Sequence, residues 1–188
     1  MLKTILSLCD FTGAWSQPYV DAGYNVVRLD IKTGTDVRLF KKPDYPIHGI
    51  LAAPPCTHFA GSGARWWAGK GETALLEGLA LVDACLRIVT VCKPVWWALE
   101  NPVGRLTDYL GKPVMYFQPC DYGDPYTKKT GLWGDFTPPV GLFIETSDWS
   151  VEATEGSKMH KLPPSPERQA LRSETPAGFA RAFFMANP

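Results

Sequence analysis

The sequence predicts an α/β fold built on one doubly wound, mostly parallel sheet. Three observations lead there. Short apolar, β-branched runs at Thr4–Cys9, Tyr24–Leu29, His48–Ala53 and Val95–Leu99 read as strands. Helical patterns lie between them, so the strands are joined by crossovers rather than hairpins. Three of the runs end at residues that can do chemistry: Asp30, Cys56 and Glu100. In open α/β sheets the crevice outside the carboxyl ends of the strands is where ligands bind.

The elements follow in order. After the first strand, Asp10 to Ser16 reads as a turn with one glycine, Gly13, and Ser16-Gln17-Pro18 starts a helix that Gly23 ends. The second strand closes on Asp30. Strand, glycine turn, helix, strand and acid is the layout of a nucleotide-cofactor half-site. In it, backbone N–H groups near Gly13 face the ligand and the Asp30 carboxylate accepts from ribose hydroxyls. A single glycine is not a pyrophosphate fingerprint, so a nucleoside cofactor fits better. Lys32–Val37 follows at once and brings a second acid, Asp36, to the same edge. The strand His48–Ala53 stops at Pro54-Pro55, which cannot continue a central ladder, and presents Cys56. Gly61–Gly71 reads as a mobile loop carrying Arg65, Trp66 and Trp67. From Glu72 to Cys92, Leu75, Leu79, Val82, Leu86 and Val89 share one helical face. Lys93-Pro94 breaks that helix, and the next strand ends in Glu100-Asn101-Pro102. A short helix at Val103–Leu110, a strand at Pro113–Phe117 and a hairpin edge at Lys128–Gly134 follow. The span 137–172 is rich in Pro, Ser, Glu and Lys and reads as irregular. Thr175-Pro176 starts a last helix, with threonine as N-cap and Phe179, Ala180, Phe183 and Phe184 as its apolar face.

Bulk composition narrows the function. The 188 residues suit a single domain, residues 1–188, and 45% hydrophobic with 20% charged residues is ordinary for a globular chain. A formal net charge of zero gives no strong field toward nucleic acid or an anionic membrane. Five cysteines lack paired spacing and the three histidines lie far apart, so neither a metal site nor a disulfide framework is expected. No run reaches transmembrane length, and the apolar start is too short for a signal peptide. The expectation is a cytoplasmic protein in a reducing compartment, with Cys9, Cys85 and Cys92 in the core.

A thiol and a carboxylate beside a nucleoside cofactor suggest addition to an electron-poor ring. A thiolate adds to carbon 6 of a pyrimidine and makes carbon 5 nucleophilic, while a glutamic acid protonates ring nitrogen 3. That acid needs a raised pKa, available beside Trp97 and Leu99. The thiol needs a lowered one, from Arg65 or Lys128.

At these residues the chain resembles the DNA cytosine-5 methyltransferases. Pro55-Cys56-Thr57-His58-Phe59-Ala60 is similar to their nucleophile motif, with alanine for its serine, and Glu100-Asn101-Pro102 to their Glu-Asn motif. Asp10-Phe11-Thr12-Gly13 looks like their opening turn, and Asp36-Val37 like the acid that holds the adenine amino group. Ser173–Pro176 is similar to their last motif. The resemblance implies a Rossmann-like, S-adenosylmethionine-dependent methyltransferase domain, with methyl transfer to carbon 5 of cytosine in DNA. It implies Cys56 and Glu100 as the catalytic pair, and Asp10, Phe11, Thr12, Gly13, Asp30, Ile31, Asp36, Pro54 and Thr175 around the cofactor. It implies Pro55, Thr57, Arg65, Asn101, Lys128 and Lys129 on the substrate side, with no metal.

The chain departs from the family in three places. There is no room between Asp30 and Asp36 for the usual helix and strand, so the cofactor half is trimmed after the second strand. Lys128 and Thr130 stand where two arginines are expected, and Arg and Lys are not interchangeable for forked recognition. The span 137–172 replaces a long target-recognition domain. Such a compact, phage-like version would take DNA as its partner, with a second protein as a candidate supplier of target recognition, and would work in a host cytoplasm. The same chemistry on a free pyrimidine nucleotide or single-stranded DNA is one alternative. A non-catalytic cofactor- or DNA-binding module that needs a partner is the other.

Overall fold

Six strands form one sheet: β1 (Thr4–Leu8), β2 (Asn25–Leu29), β3 (Gly49–Ala52), β4 (Trp96–Pro102), β5 (Met115–Phe117) and β6 (Thr130–Asp135). Their order is β2-β1-β3-β4-β6-β5. The first four run parallel, and β6 is antiparallel to both of its neighbours. The computed structural model describes residues 2–141, 153–163, 165 and 167–188. The expected α/β class with a mostly parallel sheet is what the chain adopts.

The helices are α1 (Gln17–Asp21), α2 (Trp67–Cys92), α3 (Thr107–Leu110), α4 (Lys158–Lys161), α5 (Arg168–Ser173) and α6 (Ala177–Ala186). Strand residues alternate between faces, and the two sides of the sheet carry separate cores. On one side, Leu6, Leu8, Ile50 and Leu99 pack with Val82, Cys85 and Ile88 of α2. On the other, Ile5, Leu51 and Ala98 pack with Trp15, Tyr19 of α1, and Phe179 and Phe183 of α6. A sheet buried on both faces explains why its strands read as continuous apolar runs. Because β1 connects through α1 to β2 on one side and pairs with β3 on the other, the strand order reverses at β1. The crevice at the carboxyl ends of β1 and β3 is therefore the place for a ligand.

Several boundaries differ from the sequence reading. β4 does not stop at Leu99 but continues through Pro102, because β6 supplies partners as far as Pro102↔Thr130. The Lys128–Gly134 segment is accordingly an interior strand, not a hairpin edge; the edge is β5. The Gly61–Gly71 segment is a 3-10 stretch, Gly61–Trp66, that runs into the first turn of α2, with a break at Gly71 (φ 71°) where only glycine is unstrained. The Val103–Leu110 helix shrinks to α3. Between Asp30 and Asp36 lies a single 3-10 turn, Ile31–Thr33, in keeping with a trimmed cofactor half. Within 137–172, α4 and the start of α5 are helical where irregular chain was expected, while 142–152 lie outside the described residues. Pro176, not Thr175, is the N-cap of α6, and Thr175 makes no capping bond there. No helix among the described residues is long and apolar enough to cross a membrane, and they contain no group of side chains that could hold a metal ion.

Candidate active site

The turn that carries Cys56 is held from three sides. Pro54 is buried, and its carbonyl accepts a hydrogen bond from Asn101 Nδ2 at 2.9 Å. Pro55, fixed at φ −52°, caps a 3-10 turn over Cys56–His58, and the N–H groups of Phe59 and Ala60 both donate to the Cys56 carbonyl at 2.9 Å. The segment after β4 then clamps the turn. Gly61 N–H donates to Val103 O, Arg105 N–H to Phe59 O, and Arg105 Nε to His58 O at 2.7 Å. Gly104 is required here, since a Cβ would run into the Phe59 carbonyl. The thiol turn and the Glu100 strand are thus one unit.

Glu100 is buried, and its Oε1 lies 3.6 Å from Lys128 Nζ, whose side chain is 9% exposed. Among the described residues Oε1 makes no hydrogen bond. Burial pushes the Glu100 carboxyl above its ordinary range, Lys128 pulls it back, and nearby Asp10 pushes it further up. The raised acid is as expected, but Trp97 and Leu99 are not the cause, because strand alternation points them to the opposite face. Burial likewise pushes the Cys56 thiol up. Lys128 and Arg172 work against that, and Glu100 adds to it. At rest the thiol is protonated, the reverse of the lowered pKa that nucleophilic chemistry asks for. Arg65 is not among the charges that act on the thiol: it is exposed and stacks on Trp66 at 5.0 Å.

Two cavities meet at this turn. The larger, about 430 Å³, is lined by Cys9, Asp30, Ile31, Asp36, Pro55, Thr57, His58 and Glu77 among others. The smaller, about 180 Å³, is lined by Cys56, Ser62, Pro102, Lys128, Lys129 and Arg172 among others. Pro55 and Thr57 therefore face one cavity and Cys56 the other.

The predicted residues divide accordingly. Cys56, Lys128 and Lys129 come together at the smaller cavity, with Glu100 paired to Lys128. Asp30, Ile31 and Asp36 come together at the larger one, joined by Pro55 and Thr57, which were expected on the substrate side. Asp36 is also held by Arg38 through a bidentate pair at 2.6 and 2.9 Å, which lowers its pKa. Asp10 is not free for a cofactor. Its carboxylate accepts from Ser7 Oγ, Ser16 Oγ and Gly13 N–H at 2.8, 3.1 and 3.0 Å and so builds the turn. The Gly13 N–H thus points inward, and Gly13 lies under the Arg28 guanidinium. Phe11 and Thr12 are exposed, Thr175 is buried, and none of these lines either cavity. Pro54 is a positioning residue through its carbonyl. Asn101 is fully buried and holds Pro54, so it cannot touch DNA.

Three contributors escaped the sequence reading. His58 and Glu77 line the larger cavity, and Arg172 lines the smaller. His58 stood inside the quoted motif and could have been flagged. Glu77 is an acid on α2 with nothing local to distinguish it, and Arg172 lies over a hundred residues from Cys56.

No protein-family model matches the chain, and no curated protein matches it in sequence. Among solved structures the chain is similar to one assigned as a DNA modification methyltransferase encoded within a prophage (E. coli). The identity is 19% and the TM-score 0.52, over 71% of this chain. The likeness is one of fold. This chain covers 46% of that structure's length, less than half.

Proposed function

We propose that this chain transfers a methyl group from S-adenosylmethionine to carbon 5 of cytosine in DNA, through a covalent adduct between Cys56 and carbon 6. The observation that carries this reading is the Pro55-Cys56-Thr57 turn between two cavities, with the thiol facing the smaller and its neighbours facing the larger. A methyl donor on one side and a ring on the other would meet at this turn. The DNA modification assignment of the structural neighbour supports the same substrate class.

S-adenosylmethionine fits the larger cavity by size and by donor set. A volume of about 430 Å³ is in the range of small-molecule sites. Asp30 and Glu77 offer acceptors for hydroxyl and amino groups, Asp36 adds an acid that Arg38 holds in place, and among the described residues the buried His58 Nδ1 has no partner. Asp30, Ile31, Asp36 and Glu77 are the residues that would hold it. When bound it supplies an electrophilic methyl group.

The chain's own residues then act in order. The Cys56 thiol gives its proton to water, and the thiolate forms a bond to carbon 6 of the cytosine. The displaced electron pair reaches nitrogen 3, which takes the Glu100 proton. Carbon 5 is now nucleophilic and would take the methyl group of a bound donor, whose sulfur–methyl bond breaks with the electron pair leaving on S-adenosylhomocysteine. Loss of the carbon-5 proton to water and departure of the thiolate restore the ring, and nitrogen 3 returns its proton to Glu100. In its protonated form, which burial favours, Glu100 suits cytosine, whose nitrogen 3 is an acceptor, and disfavours uracil, whose nitrogen 3 carries hydrogen. Lys128 holds Glu100 and lowers the cost of the thiolate.

The test is incubation with methyl-labelled S-adenosylmethionine and duplex DNA, followed by bisulfite sequencing. Wild-type protein should label cytosine at carbon 5. Cys56→Ala should abolish transfer and leave cofactor binding intact; transfer that survives this change would overturn the mechanism.

A further inference from the structure

The smaller cavity is basic in a way the base chemistry does not need. Lys128, Lys129 and Arg172 all line it beside Cys56, although the chain's formal net charge is zero. Lys128 is committed to Glu100. The other two are not committed to acids: among the described residues neither Lys129 nor Arg172 has a carboxylate within ion-pair distance. Lys129 Nζ rests over the Tyr116 ring at 5.1 Å. Arg172, half-buried on α5, donates from Nη2 to the neutral Ser62 hydroxyl at 3.1 Å. Its charge is felt at the thiol, which it pulls down. A guanidinium held by one neutral hydroxyl exchanges that single bond for a stronger bidentate fork to an anion when a phosphate arrives. Behind Lys128 lies the buried Glu100 carboxyl, whose Oε1 makes no hydrogen bond among the described residues and is the group next to the cavity suited to a ring rather than to an anion.

We propose that the smaller cavity binds the phosphate of a pyrimidine nucleotide through Arg172 and Lys129 while the ring lies against Cys56 and Glu100, and that Arg172 makes the site prefer nucleotide over nucleoside. This rests on the methyl-transfer reading for the identity of the ring. The phosphate belongs either to a free nucleotide or to a DNA strand, and the chemistry recognised is the same.

Binding separates this proposal from the reaction. Cys56→Ser protein is titrated calorimetrically with deoxycytidine, with dCMP, and with a short single-stranded oligonucleotide containing one cytosine. At least one phosphate-bearing probe should bind about tenfold or more tighter than deoxycytidine, the worth of one hydrogen bond to a charged group. Adding Arg172→Gln should bring that ratio below about threefold, and Arg172→Lys should leave it in between, because lysine keeps the charge and loses the fork. Lys112→Gln, a surface charge change away from both cavities, should leave the ratio unchanged. Far-UV circular dichroism checks that each variant is folded. Tight dCMP binding assigns the phosphate to a free nucleotide; tight binding of the oligonucleotide alone assigns it to a strand. Equal binding of all three probes overturns the proposal, as does a ratio that Arg172→Gln leaves intact. Failure of methyl transfer to DNA with the phosphate preference intact would instead count against the reaction and leave the site standing.

Discussion

Replacing Lys128 by methionine tests the electrostatics of the site without assuming any reaction. The ammonium lies 3.6 Å from Glu100 Oε1, and the two side chains are 9% and 5% exposed. Breaking a buried pair costs about 3–5 kcal/mol while the remaining partner stays charged. Glu100 has an escape, since it can bind a proton. Burial already holds its carboxyl up and Lys128 is the main restraint, so the variant raises it further. An acid whose folded pKa is raised favours folding below its unfolded pKa of about 4.3, and that contribution is lost as pH rises through the folded value. In Lys128→Met the loss extends to higher pH. At pH 5 Glu100 binds its proton more readily than at pH 8, so the variant should differ from wild type by the smaller amount there, less than about 1 kcal/mol. By pH 8, where the variant's carboxyl is left charged without its partner, the gap should widen to about 3 kcal/mol, the lower end of the cost of breaking a buried pair. Urea unfolding followed by tryptophan fluorescence at both pH values measures this. Asp10 and Cys56 also bear on the site, so Lys128→Met in a Glu100→Gln background serves as control, and its gap from Glu100→Gln alone should be independent of pH. A gap in the single variant that is constant within about 0.5 kcal/mol would refute the coupling.

Other consequences are simpler. Asn101→Ala removes the bond that holds the Pro54 carbonyl in a fully buried setting, so stability should fall by about 1–3 kcal/mol in thermal unfolding. Turnover should fall with it while the KM for the cofactor holds. Phe179 is fully buried and stacks on Phe117 at 3.7 Å, so Phe179→Ala should cost about 3–5 kcal/mol in urea. Trp66 is 58% exposed, so Trp66→Ala should leave stability within about 0.5 kcal/mol. On the proposed reading it should weaken single-stranded DNA binding by about 1–3 kcal/mol, measured by fluorescence anisotropy.

What the sequence made legible follows physical range. The parallel strands were readable because their apolar runs are local, and α2 because five residues repeat on one face. The meeting of Cys56 with the Glu100 strand was readable only as strand ends converging on one crevice. Long-range pairing was not legible: β6 looked like an edge because nothing in Lys128–Gly134 says that β4 extends to meet it. Asp10 misled for a related reason. An acid after a first strand suits a ligand or a turn equally well, and the deciding groups are the Ser7 and Ser16 hydroxyls, whose approach only the folded turn reveals. Arg172 depends on where the chain beyond 137 returns to the sheet, which no local pattern fixes.

The two cavities differ most in charge. Asp30, Asp36 and Glu77 line the larger one, with Arg38 closed on Asp36 and His58 held toward its neutral form by burial and by Lys70. Lys128, Lys129 and Arg172 line the smaller one. Across three residues, Pro55 to Thr57, a chain of zero formal charge separates an acidic pocket from a basic one. Such a partition sorts ligands: a cation entering the basic cavity, or an anion the acidic one, meets like charges at close range, which costs several kcal/mol. Pockets this small lie within the Debye length of about 8 Å at physiological salt, so screening does not erase the difference. On the proposed reading, a sulfonium donor and a nucleotide carry opposite charges and would lie on opposite sides of the thiol turn for a methyl group to pass between them. The arrangement suits that requirement and suits two anionic ligands poorly. A dinucleotide cofactor in the larger cavity is disfavoured on the same ground, which agrees with the missing pyrophosphate glycines after β1.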